Sequence, residues 1–295
     1  MKPLLLFGLI IAAVCPGAAQ TLVLDPTYGV YPLGGFHVTF EGLDVDVLDR
    51  VVVAVGTEFP PSRTLSVGRV TKTGRVDSTF ANGGRLGLQI PGGPFYRFSW
   101  PTVQLDTDAE GGVLIAGSVV TETPFVSRVY LGRLRPDGTL DPSFPGGGLR
   151  LLDLPFSAEV QGVAWSPQHT YLALSDSTGG RCVLAAFRPN GAADLEFGTD
   201  GMVGIPSSLP CTSRDVFPTP DGVFLLGQIS GAPDSPHTAG IVGAFTHSGA
   251  VRSDFGEHGT VPLGFPDRSF RPTTLHRWGG RTVVAGFSGV RGGEG

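Results

Sequence analysis

Lysine is almost missing from this chain: Lys2 and Lys72 are the only two in 295 residues. With a formal net charge of −5 and no basic patch, nucleic acid is excluded as a partner. Long hydrophobic runs are missing as well. The longest, Leu4 to Val14, falls short of the roughly 20 residues a membrane-spanning helix needs. Cysteine is scarce, at positions 15, 182 and 211. Two cysteines beyond the N-terminal region cannot build a zinc site without histidine, and no histidine lies near either one. A disulfide between Cys182 and Cys211 and a pair of buried free thiols are both open. No stretch after the N-terminal region sustains 3.6-residue apolar spacing, which excludes helical bundles and solenoids.

Catalytic signatures are lacking too. The histidines His37, His169, His237, His247, His258 and His276 are scattered, with no His-x-His or His-Glu-x-x-His pair. There is no Gly-x-Ser-x-Gly elbow. Phosphate-cradling glycines between a strand and a helix are absent. No catalytic, metal or cofactor residue is assigned on this basis.

What is present begins with an address. Lys2, the apolar run and Pro16-Gly17-Ala18-Ala19 read as the charged, apolar and small-residue zones of a signal peptide covering residues 1–19. The expected location is therefore secreted, periplasmic or cell-surface, with residues 20–295 as the working domain. Glycine and proline, 45 and 25 residues, punctuate short apolar runs, the pattern of many strands joined by tight turns.

Those turns recur. One phrase is written five times: Leu24 to Gly29 (LDPTYG), Val76 to Phe80 (VDSTF), Leu140 to Phe144 (LDPSF), Ala193 to Gly198 (ADLEFG) and Val251 to Gly256 (VRSDFG). Its aromatics stand at 28, 80, 144, 197 and 255, so the repeats start near 22, 75, 139, 192 and 250. A period of that length means an array of like modules. Within each module an apolar run such as Val113 to Gly117 or Val223 to Gly227 reads as a strand buried on both faces. Another strand ends in an Asp-Gly, Asn-Gly or Ser-Gly turn, as in Leu131 to Gly138, and Asp-Gly and Asn-Gly are the strongest short hairpin signals. Four strands fit one unit, and a four-stranded antiparallel sheet repeated radially is a β-propeller blade. The expected fold is all-β: a propeller of five blades, the last closed by the N-terminal strand Thr21 to Leu24. The alternative is part of a larger ring.

The run of a strand ending Gly-Arg-Leu, a Pro-Asp-Gly turn, Leu-Asp-Pro-Ser-Phe and a glycine-rich tail at Leu131 to Gly148 resembles the delta-60 repeat. The resemblance spans nearly all of residues 22 to 288 and weakens in the last copy, where Arg252 replaces the aspartate. It implies a secreted or surface bacterial propeller, a class largely without assigned activity.

Candidate ligands for such a propeller follow from its loops. The repeated Asp25, Asp77, Asp141 and Asp194 suit calcium, but every blade needs the same turn, so turn formation is expected of them. Asp106-Thr-Asp-Ala-Glu-Gly111 imitates half of a calcium loop, yet position twelve is Gly117, and a hairpin is expected. Asp44, Asp46 and Asp49 take the same reading. Tyr96, Phe98 and Trp100 lie in the longest inter-repeat step and form the candidate ligand-binding surface, since insertions in repeats map to loops. The leading expectation is an exported non-enzymatic binding or scaffolding module, monomeric, recognising a protein or glycan through loops on one face. The alternatives are a propeller lyase or hydrolase acting on carbohydrate through channel carboxylates, and a structural segment of a larger surface protein.

Overall fold

Apolar runs bounded by Asp-Gly and Asn-Gly turns become hairpins, and the hairpins become four sheets of identical strand order. The computed structural model describes residues 38–59, 62–90, 102–120, 126–178, 180–230, 237–265, 267–278 and 281–289. Blade one holds β1 (Val38–Val45), β2 (Val51–Phe59), β3 (Ser62–Val70) and β4 (Arg85–Leu88). Blade two holds β5 (Thr102–Thr107), β6 (Val113–Val120), β7 (Ser127–Leu134) and β8 (Leu149–Leu151). Blade three holds β9 (Ala158–Trp165), β10 (Thr170–Asp176), β11 (Arg181–Phe187) and β12 (Met202–Gly204). Blade four holds β13 (Cys211–Thr219), β14 (Gly222–Ile229), β15 (Ala239–Phe245) and β16 (Thr260–Leu263). A fifth sheet contributes β17 (Ser269–Trp278) and β18 (Arg281–Gly289). Every pairing is antiparallel and follows chain order.

The first strand of each blade contacts the first strand of the next: β1 with β5, β5 with β9, β9 with β13, β13 with β17. That succession of inner strands makes the array a β-propeller, as the repeat implied. No helix occurs among the described residues. Thr21 to Leu24, the strand expected to close the ring, lies outside the described residues.

A blade has two apolar faces, so the core is a set of seams rather than one interior. In β6, Val113 and Ile115 join the cluster shared with blade one, while Leu114 and Ala116 join the cluster shared with blade three. Period-two alternation therefore buries both faces of the strand, as its unbroken apolar run predicted. Two further clusters fill the seams between blades three and four and between blades four and five.

The repeated phrase is the peg of each seam. Phe80, Phe144 and Phe197 are 0%, 1% and 0% exposed. Each ring packs under the turn glycine of the following blade: Phe80 under Gly138, Phe144 under Gly191, Phe197 under Gly249. Those glycines have φ of 82°, 78° and 81°, and a Cβ at Gly138 or Gly191 would collide with the ring below it. The turn thus requires glycine twice over, by its backbone and by its neighbour.

Cys182 and Cys211 are joined in a disulfide, Cα to Cα 5.2 Å, which ties β11 of blade three to β13 of blade four. It resolves the alternative left open by the sequence. Cys182→Ser with Cys211→Ser is expected to lower unfolding free energy by about 2–4 kcal/mol. A urea titration of wild type and double variant reads it, and superimposable transitions would show that the cross-link adds nothing to the seam.

Candidate functional site

Most carboxylates that attract notice in the sequence are consumed by the fold. Asp141 Oδ1 accepts from Ser143 N at 3.0 Å and from Ser143 Oγ at 2.8 Å, and Asp77 accepts from Thr79 in the same way. Arg69 Nε donates to Asp77 at 2.8 Å with both side chains buried. Burial, the largest single influence, acts to raise both carboxyls, but these hydrogen bonds, with Arg69 beside Asp77 and Arg133 and Arg135 near Asp141, hold them below their ordinary value. In blade three the partner of Asp194 is His169, whose Nε2 lies 2.8 Å from Asp194 Oδ2. Turn formation is thus the role of the repeated aspartates, with Asp25 outside the described residues.

The calcium-like loop is a hairpin, as expected. Asp108 Oδ1 accepts from Gly112 N at 2.7 Å and Glu110 N at 3.0 Å, and its Oδ2 is held by Arg133. Asp46 is likewise spent on Leu48 N, Arg50 N and Arg50 Nε. No cluster of metal-ligating side chains occurs among the described residues. Tyr96, Phe98 and Trp100, the aromatic surface expected from the sequence, lie outside the described residues.

Two carboxylates on neighbouring inner strands behave differently. Asp44 of β1 pairs in register with Val52, and Asp106 of β5 with Leu114, at the same position of adjacent blades. Asp106 is partly buried and spans the next seam, accepting the backbone N–H of Trp165 on β9 at one oxygen and that of Thr107 at the other, 3.0 Å away. Burial pushes its pKa up to about 7, and the charge and hydrogen-bonding contact of Asp44 push the same way, against the two backbone donors. Asp44 Oδ2 is buried with no other hydrogen-bond partner. A proton held by Asp106 on the side of Asp44 answers both observations.

A third such group stands on β13. Asp215 Oδ2 accepts from Thr274 Oγ1 at 2.8 Å and Leu275 N at 2.7 Å, and its Oδ1 from Val216 N at 2.8 Å. Burial outweighs these donors and raises its pKa. The inner strands pass close here: a Cβ on Gly162 of β9 would stand 3.2 Å from Asp215 Cα. Asp44, Asp106 and Asp215 thus stand on the inner strands of blades one, two and four, and burial raises the carboxyls of Asp106 and Asp215. Asp44 and Asp106, expected in turns, lie in strands instead, and no motif in the sequence marks Asp215. Their only sequence signal is an acidic residue inside an inner strand, where a β-strand disfavours one.

No family model and no curated protein sequence matches the chain. Among solved structures it is similar to a GH43 β-xylosidase/α-arabinofuranosidase from a compost microbial metagenome, at 9% identity over 84% of this chain and 85% of that one, TM-score 0.44. It is similar to an exo-1,5-α-L-arabinanase from a bovine ruminal metagenomic library at 8% identity, covering 85% and 87% of the two chains, TM-score 0.43. A GH43 β-1,3-galactosidase gives 10% identity, 77% and 75% coverage and a TM-score of 0.41. No residue role is carried over from likeness at this level. The similar structures are glycosidases by name and bear on the fold alone; the expectation of a non-enzymatic binding or scaffolding module is corrected on the inner strands, where burial raises the Asp106 carboxyl to about 7. A scaffold needs no such group, whereas perturbed carboxyls concentrate where proton transfer occurs.

Proposed function

We propose that this protein is an exported propeller glycoside hydrolase. The observation that carries the proposal is the carboxyl of Asp106, raised to about 7 by burial and by Asp44. Glycosidic cleavage asks for two carboxyl groups in opposite protonation states, one giving a proton to the leaving oxygen and one remaining charged. Asp106, protonated near neutrality, is the general acid. Asp44, in contact across the seam, favours the protonated form of Asp106. Asp215 is a second carboxylate whose raised pKa makes it the stronger base, and it is the candidate to activate water or attack. The secretory address and the delta-60 character of the repeats belong to this reading. No helix among the described residues is long and apolar enough to cross a membrane.

The test is release of reducing ends from arabino-, xylo-, galacto- and uronate-containing oligosaccharides by the purified protein, followed across pH. The expected result is turnover of at least one class, with the alkaline limb of kcat near pH 7, where Asp106 loses its proton. A cooperatively folded sample that cleaves none of them would end the hydrolase reading.

A further inference from the structure

The inner strands share an irregularity at one height. A β-bulge leaves one residue unpaired in β1 between Phe40 and Gly42, in β9 between Val160 and Gly162, in β13 between Ser213 and Asp215, and in β17 between Pro272 and Thr274. The residues so released are Glu41, Gln161, Arg214 and Thr273, all polar. Bulges re-aim a side chain and gather beside functional sites. In β13 the released residue is a cation directly before Asp215.

Arg214 is held but not neutralised. Its Nη2 donates to Gln228 Oε1 at 2.8 Å, and its Nε is buried with no hydrogen-bond partner. No hydrogen bond or ion pair joins it to Asp215 next door, whose oxygens accept from Val216 N, Thr274 Oγ1 and Leu275 N. Across the seam stands a second cation, Arg271 of β17, exposed. Burial chiefly, and the charge of Arg271 next, press the Arg214 pKa below its ordinary value. Arg69, Arg133 and Arg181 have counter-charges within their own blades, in Asp77, Asp108 and Asp176, whereas Arg150, whose Nε is likewise unpartnered, is held only by the Gly191 carbonyl. A partly desolvated guanidinium beside another cation, with only a neutral amide to hold it, is unfavourable unless an anion completes it.

We propose that Arg214 and Arg271 form an anion subsite beside Asp215 that takes the carboxylate of a uronic acid residue in an acidic glycan. A carboxylate presents two coplanar oxygens to the guanidinium fork, which an ammonium would not match. The amide of Gln228 fixes the plane of that fork. With two lysines and a net charge of −5, the chain has no field to hold a densely charged polymer. One anionic group on an otherwise neutral sugar is what two arginines can satisfy. The inference rests on the glycosidase reading above, which it narrows to a substrate class.

Equilibrium binding of the full protein separates the two. The probes are a galacturonate trisaccharide, a sulfated tetrasaccharide and a neutral arabinotriose, with wild type, Arg214→Gln, Arg214→Lys and Arg271→Gln, each checked for an unchanged thermal transition. The expected result is preference for the galacturonate probe, weakened about tenfold or more by either glutamine variant and only partly kept by lysine. Added salt should weaken wild-type binding more steeply than the residual binding of either glutamine variant. Equal affinity of wild type for the neutral and uronate probes, uronate binding unaffected by the variants, or arginine-dependent binding of the sulfated probe alone would each overturn the proposal. Because binding is read without turnover, arginine-dependent uronate binding by a protein that cleaves nothing would sink the hydrolase reading and leave the subsite. Cleavage with arginine-independent binding would do the reverse.

Discussion

Phe144→Ala is expected to lower unfolding free energy by about 3–5 kcal/mol. The ring is 1% exposed and sits in the seam of blades two and three, among Leu131, Leu152, Val163 and Leu172. No neighbour can collapse into the space, because the inner strands on one side and the turn at Gly191 on the other fix its walls. Gly191→Ala attacks the same contact from above, through its φ of 78° and the collision of a Cβ with the ring. In the double variant the methyl group enters the cavity left by the ring, so the two losses should sum to less than their total. Urea titrations of the four proteins read this cycle. Additive losses would mean that ring and turn are not one peg. Phe255 tells the same story by contrast: it is the corresponding aromatic of blade four and is only half-buried.

That peg was legible in the sequence as a repeated phrase, and so were the hairpins. The turn signals at Gly138, Gly191 and Gly249 and the unbroken runs at Val113 and Val223 each carry their own conformational preference, so local reading suffices for them. The role of the repeated aspartates was legible for the same reason, since Asp141 bonds to a residue two positions away. What reaches across a seam was not. The sequence left the disulfide open because pairing depends on how β11 and β13 face each other. It gave no hint that Asp44 meets Asp106 in the neighbouring blade, nor that burial would hold a proton there. Scanning for motifs finds residues near one another in the chain, and a propeller supplies its central groups one strand at a time. The bulge at Arg214 was equally hidden, for it is a register defect between strands and not a composition.

Asp106→Asn should reduce kcat by about 10²–10⁴-fold, the contribution of a positioned acid, while making the fold more stable above pH 7. The two effects come from one cause. In the folded protein the carboxyl titrates at about 7, against an ordinary value of 3.8. Its folded pKa is raised, so the stability it contributes is complete below about pH 4 and is lost as pH rises through about 7. The gap corresponds to at most ~4 kcal/mol, less after allowance for partial exposure. Asparagine stays neutral across that window and can still accept from Trp165 N while its amide donates to Asp44. It has one carbonyl oxygen where the carboxylate had two, so the Thr107 N–H loses its acceptor at a cost of about 1 kcal/mol. The electrostatic relief is the larger figure at pH 8, and the variant should melt above wild type there and no higher at pH 4. The decline of wild-type stability between pH 4 and 7 should flatten in the variant, as should the alkaline limb of any residual activity. A carboxylate serving only as a bolt between blades would give the opposite sign, a variant weaker at every pH with parallel profiles, and that outcome would remove Asp106 from the chemistry. A gain in stability bought with a loss of turnover is what a desolvated acid kept for function requires.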